Sequence, residues 1–277
     1  MGNFFNLILV NPIINVLVLL YQLFSFMHIP YALGFSIIGL TILIRLLLYP
    51  LISSQLRASM KMQKVAPHIS DLKEKHKGDA KALQAETMKL YKEHGINPAA
   101  GCLPVLIQMP IIWALYGVLQ RIVGFNAHSV VSEINKIVYF DFLKLHNSWD
   151  ATFFGLSLAA MPSKLISTVG PLVLLVPIIT GVLQFILSKM MVQPAQSNSL
   201  AVAQPALNTK DKKEDFASAF QSQSLYIFPL MIGFFSYNFP IGLSLYWNTF
   251  TIFGSVQQYR ISGLGGLEVW IKKKKKL

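Results

Sequence analysis

The chemistry-bearing residue in this chain is Arg45, in the middle of the apolar run at residues 33–51. A guanidinium stays protonated at any physiological pH. At the centre of a membrane-spanning helix it costs about 2.5–3.5 kcal/mol even on the gentlest insertion scale, so such a charge normally faces a polar cavity and works there. The alternative is an arginine that snorkels to the surface, for which about two helical turns of apolar chain stand in the way. Other chemistries lack their residues. The single cysteine, Cys102, excludes an internal disulfide framework and a cysteine-based zinc site. His28, His68, His76, His94, His128 and His146 show no HxxxH or HExxH spacing, so no metal site is expected. There is no GxSxG, P-loop or dinucleotide fingerprint, and neither an enzyme nor a cofactor is expected.

The elements that must position Arg45 are apolar. The chain is 53% hydrophobic and 13% charged, with a mean hydropathy of +0.51, which is a membrane-protein composition. A span needs about 20 residues to cross a hydrocarbon core about 30 Å thick. Beside 33–51, such runs lie at 103–123, 170–191, 225–240 and 241–261, giving five spans. The last two meet at Asn238-Phe-Pro-Ile-Gly242, a turn broken by Pro and Gly.

Cations set the orientation. Nineteen Lys and Arg fall in 52–102, in the loop after the third span and in the tail, against three (Lys136, Lys144, Lys164) on the alternate side. The positive-inside rule then places the N-terminus outside and the C-terminus in the cytoplasm. Arg121 sits near the outer end of its span, where a snorkelling anchor accounts for it.

Residues 1–29 are apolar without a basic leader, and Asn11, Asn15 and Gln22 form one polar stripe. They are expected to form an amphipathic helix lying in the outer interface, with a sixth span as the alternative. Residues 55–95 form a Lys-rich segment with thin apolar faces, expected as a mobile cytoplasmic hairpin of two helices. Lys77-Gly78-Asp79 marks the turn, Asp79 the N-cap, Pro67 a kink and His94-Gly95 the end. The external loop is 124–169. The cytoplasmic loop 192–222 reads as flexible linker. The tail 263–277, with Lys272–Lys276, suits anionic lipid or ribosomal RNA.

Three ordered stretches stand out: Leu40-Thr-Ile-Leu-Ile-Arg45 with Tyr49-Pro50-Leu51 and Met60-Lys-Met62; Leu90-Tyr-Lys-Glu-His-Gly-Ile-Asn-Pro98 with Gly101-Cys-Leu-Pro-Val-Leu-Ile-Gln-Met-Pro110; and Phe239-Pro-Ile-Gly-Leu-Ser-Leu-Tyr-Trp-Asn248 with Gln257-Gln258. Together they resemble the YidC/Oxa/Alb membrane-protein insertase family, over about residues 30–262. The resemblance implies an all-α polytopic membrane protein. Five transmembrane helices would surround a polar groove open to the cytoplasm and the lipid, joined by the cytoplasmic hairpin and the N-terminal interfacial helix.

Arg45 would be the family arginine, with Thr41 on the same face at i−4. Gln184 and Trp247 match groove positions; Gln108, Tyr246 and Asn248 are further candidates for substrate binding. Each of these, Arg45 apart, could equally serve ordinary interhelical bonding or packing. The implied function is insertion and folding of nascent membrane proteins with short or acidic external tails, by a monomer. Candidate partners are the ribosome, the signal recognition particle receptor, the Sec translocon and anionic lipids.

The chain lacks the large external domain of longer relatives and the acylated cysteine of many Gram-positive ones. A short bacterial form in the plasma membrane is therefore expected. A transporter would show inverted repeats, and an intramembrane protease a paired catalytic set; neither pattern is seen.

Overall fold

The computed structural model describes residues 4, 6–97, 109–118, 127–192 and 214–274. Among these the chain is helical almost throughout. A π-helical turn (Asn6–Val10) leads into α1 (Asn11–Phe26), which carries Pro12 in its first turn, where its missing N–H costs nothing. Then follow α2 (Ala32–Leu47), α3 (Tyr49–Lys75) and α4 (Ala80–Glu93). The apolar helix α5 (Met109–Val118) comes next, then α6 (Ala127–Asn135). A two-stranded hairpin, β1 (Thr152–Phe153) with β2 (Leu156–Ser157), precedes α7 (Pro162–Val169). The chain closes with α8 (Leu175–Met191), α9 (Glu214–Asn238), α10 (Ile241–Ser262) and α11 (Leu267–Lys274).

Length and apolar character alone mark two helices that can cross a membrane, Asn6–Phe26 and Pro171–Met191, and α2 with Tyr49–Leu72 of α3 as a third if the bent pair is one span. The five-span expectation is thus not met by these criteria among the described residues. The apolar part of α9 is short, Leu225–Asn238. Polar residues such as Asn248, Gln257 and Gln258 dilute α10. Residues 103–108 and 119–123 of the expected second span lie outside the described residues, as does most of the expected linker.

The run around Arg45 is bent. Between α2 and α3 the axis turns by 64°, just before Pro50, which can donate no backbone hydrogen bond to the preceding turn. Pro67, expected to kink the hairpin, lies inside the continuous α3. Asp79 Oδ1 accepts from the N–H groups of Lys81 and Ala82 at 3.1 and 3.0 Å and starts α4. At the other end Gly95 has φ +60°, and the amides of Gly95 and Ile96 donate to Lys92 and Tyr91 carbonyls, a Schellman closure. The two arms lie side by side, with the His68 and His94 rings 6.4 Å apart.

The polar stripe of α1 works inside the protein. Asn15 Nδ2 donates to the Ile137 carbonyl at 3.2 Å and Asn15 Oδ1 accepts from the Tyr139 amide at 2.7 Å. Gln22 reaches the Lys144 carbonyl at 3.4 Å. Asn135 closes the same segment by exchanging two hydrogen bonds with the Leu145 backbone. Beside it, Lys144 holds the Asp141 carboxyl below the usual carboxylate range by a 2.6 Å contact. Further on, the Gly242 amide donates to Leu158 and the Ile241 amide to Ala160, so this segment also ties down the α9–α10 turn.

The helices then pack in a sequence that makes α10 central: α1 lies along α2, α10 packs on both α2 and α8, and α9 packs along α8. Small residues make the α8–α9 approach close. A Cβ on Gly233 would lie 3.3 Å from the Pro177 carbonyl oxygen, and one on Gly181 3.5 Å from that of Pro229. A buried hydroxyl trio, Thr180, Ser236 and Ser244, links α8, α9 and α10 at 3.3 and 2.8 Å. Outward faces stay apolar: Leu43, Leu46 and Leu47 on α2, Ile178 and Val182 on α8, and Leu230 and Phe234 on α9 are exposed. Exposed apolar faces of this kind, on several helices, suit lipid rather than water.

Candidate functional site

The site is built along α10, with α2 on one flank and α8 on the other. Tyr246, Phe250, Gly254 and Gln257 recur at helical spacing on one face, and Trp247 and Gln258 on the face toward α8. Arg45 enters the first face from α2. It is 4% exposed, and its Nη2 donates to the Phe250 carbonyl oxygen at 2.8 Å. Its Cζ lies 3.4 Å from the centroid of the Phe250 ring, a close cation–π stack. Nε is buried with no hydrogen-bond partner. Salt bridges form at Glu133–Lys136 and Asp141–Lys144, both remote from Arg45 in sequence. The positive charge is therefore held by a carbonyl dipole and a ring, neither of which neutralises it.

The other expected residues divide. Thr41 stands one turn before Arg45, buried, its hydroxyl donating to the Ile37 carbonyl at 2.6 Å. Tyr246 is buried one turn before Phe250 on α10. Gln184 and Trp247 satisfy each other across the α8–α10 contact, the indole N–H donating to Gln184 Oε1 at 3.1 Å. Asn248 has a buried Oδ1 without a partner. Gln108 lies outside the described residues.

Sequence reasoning missed several members. Gln257 Nε2 donates to the Tyr49 carbonyl at 3.3 Å and to Ser53 at 3.0 Å, fastening α10 to the bend after Arg45. Gln258 Nε2 donates to the Met190 carbonyl at 3.3 Å and to Ser262 at 2.6 Å. The Oε1 atoms of both glutamines, and Thr251 Oγ1, are buried without partners. Buried polar groups are nearly always paired, so this series of unpaired ones along α10 is the feature that singles the helix out. The doublet Gln257-Gln258 in an otherwise spanning stretch was the available signal. Phe250 and Gly254 gave none, because an aromatic and a glycine are ordinary in such helices.

The arrangement offers a fixed charge and hydrogen-bonding amides, and none of the described residues that build it is His, Cys, Asp or Glu. Among the described residues no group of three or more His, Cys, Asp or Glu could hold a metal ion.

Comparison with known proteins supplies the remaining finding. The family described as 60Kd inner membrane protein matches residues 23–264. The membrane protein insertase MisCA of Bacillus subtilis is 36% identical over 83% of this chain and 70% of its own length. The membrane protein insertase YidC of Fusobacterium nucleatum is 31% identical over 84% of this chain and 87% of that protein. The YidC of Streptomyces avermitilis is 32% identical over 82% of this chain, which spans half the length of that relative.

Proposed function

The chain belongs to the 60Kd inner membrane protein family, and from that premise we infer that it is a membrane protein insertase, a non-enzymatic machine that helps nascent membrane proteins enter and fold in the bacterial plasma membrane. The five stretches read from the sequence form its spans, and α1, although long and apolar enough to cross, lies in the outer interface against residues 137–144, with the N-terminus outside and the C-terminus in the cytoplasm. The apolar outward faces of α2, α8 and α9 support a lipid setting. Arg45, Thr41, Gln184, Trp247, Gln108, Tyr246 and Asn248 line the substrate path, which opens to the cytoplasm and to lipid.

The observation that carries this reading is the state of Arg45: a buried cation contacting a carbonyl and a ring, with one donor unused. A charge in low dielectric attracts an anion far more strongly than one in water. An acidic tail on a nascent segment is drawn to it and partway across without its polar groups meeting hydrocarbon. The following apolar segment then slides along the third and fifth spans into lipid, where burial of its side chains supplies the driving force. The substrates are nascent proteins with short or acidic external tails. The ribosome, the signal recognition particle receptor, the Sec translocon and anionic lipids are the partners expected at the hairpin α3–α4 and the basic tail, with the insertase itself a monomer.

The test is insertion of a single-span substrate with an acidic external tail into proteoliposomes. Arg45→Lys is expected to retain activity and Arg45→Ala to lose it, and neutralising the tail should remove the difference. Equal insertion by wild type and Arg45→Ala sinks charge capture.

A further inference from the structure

We infer that Phe250 and Gly254 are positioning residues that set the depth and the plane of the Arg45 guanidinium for an incoming carboxylate. This inference rests on the reading of Arg45 as the capture charge. An arginine side chain has many rotamers, and a free one meets its ligand in few productive orientations. Arg45 is not free. The Phe250 ring lies 3.4 Å from Cζ and fixes the guanidinium plane. The Phe250 carbonyl oxygen, 2.8 Å from Nη2, fixes one end of it. One turn further along α10, Gly254 supplies the room: a Cβ there would come within 2.6 Å of Nη2. Ring, carbonyl and gap thus belong to two residues at i and i+4, stacked on one face of α10.

The geometry also says what is left open. A stacked ring covers a face of the guanidinium, whereas a carboxylate binds along its edge, in plane, through paired N–H donors. Nε is one of those edge donors, and it is buried and unpartnered. A carboxylate reaching that edge satisfies a donor the resting protein leaves unsatisfied. A lysine at 45 supplies the charge without the planar fork, so Arg45→Lys should still insert the acidic substrate but with the acidic-to-neutral ratio lowered about as far as in the variants below. Gly254→Ala should leave the helix intact, because the atom it meets is the tip of a flexible side chain. The guanidinium moves off the helix, and the charge stays.

The experiment measures insertion into proteoliposomes of one apolar segment carrying either a neutral or an Asp-rich external tail. The quantity read is the ratio of acidic to neutral insertion. Phe250→Tyr keeps the ring and is expected to keep the ratio. Phe250→Leu keeps apolar bulk and loses the ring; it should lower the ratio about fivefold or more, fivefold being the lower end of what a cation–π contact contributes. Gly254→Ala should lower it similarly, and in both variants neutral-tail insertion should persist. An unchanged ratio in both Phe250→Leu and Gly254→Ala overturns the inference, as does equal loss of neutral and acidic insertion, which would indicate packing. Arg45→Ala in the same assay separates the two ideas: if it keeps the ratio, charge capture itself is wrong.

Discussion

At the scale of single residues, the molecule spends its buried polar groups unevenly. Gln184 and Trp247 pair with each other at 3.1 Å and so join α8 to α10. Such bonds in membranes are worth about 0.6 kcal/mol on average, up to about 1.7. A double-mutant cycle with Gln184→Ala and Trp247→Phe, read as unfolding free energy in bicelles, should give a coupling of about 0.5–1.5 kcal/mol. Zero coupling would mean that the two side chains bond elsewhere in the membrane. Arg45, Thr251 and the Oε1 atoms of Gln257 and Gln258 are the contrasting group, buried with unused hydrogen-bonding capacity. Unpaired buried groups are expensive, and the proposed groove would give them a use for an incoming polar chain.

At the scale of elements, two joints deserve tests of their own. The first is the junction of α1 with residues 137–144, made by Asn15 and Gln22. Asn15→Leu removes the bonds to Ile137 and Tyr139, along with the one to the Asn11 carbonyl, and leaves the Tyr139 amide without its acceptor. Hydrogen exchange across residues 137–145 should accelerate, and stability should fall by about 1–3 kcal/mol. Unchanged exchange there would show that Asn15 does not hold the segment. The second joint is the α8–α9 crossing at Gly181 and Gly233. Gly233→Val forces side-chain atoms against the Pro177 carbonyl, already 3.3 Å from an added Cβ. The melting temperature in detergent should drop, with a cost of about 1–3 kcal/mol. A melting point equal to wild type would mean the helices can part freely.

For the whole molecule, the asymmetry of charge is the ordering principle. The net charge is +12, with the cations concentrated in the hairpin, the loop after α8 and the tail. Positive loops are retained on the cytoplasmic side. With Cys102 replaced by Ser, a cysteine at Phe154 should react with an impermeant maleimide in intact cells. A cysteine at Lys272 should react only after the membrane is opened. The reverse pattern would invert the topology and place the hairpin outside.

Much was legible from residue order alone. Family membership came from three motifs, and the helical, apolar character of the chain came from composition and run length, because hydrophobic burial in lipid depends on residue type summed over a window. Arg45 drew attention at once, since a charge in an apolar run is costly wherever its neighbours lie. Asp79 and Gly95 announced their turns through local backbone preferences. Tertiary structure decided the rest. The partners of Arg45 are 205 and 209 positions away, Phe250 through its carbonyl and ring and Gly254 through an absent Cβ. The polar stripe of α1 suggested a face toward lipid headgroups, yet Asn15 and Gln22 bind a segment more than 120 residues further along. No window over the sequence contains such pairs; which helix a polar side chain meets is settled only when the helices pack.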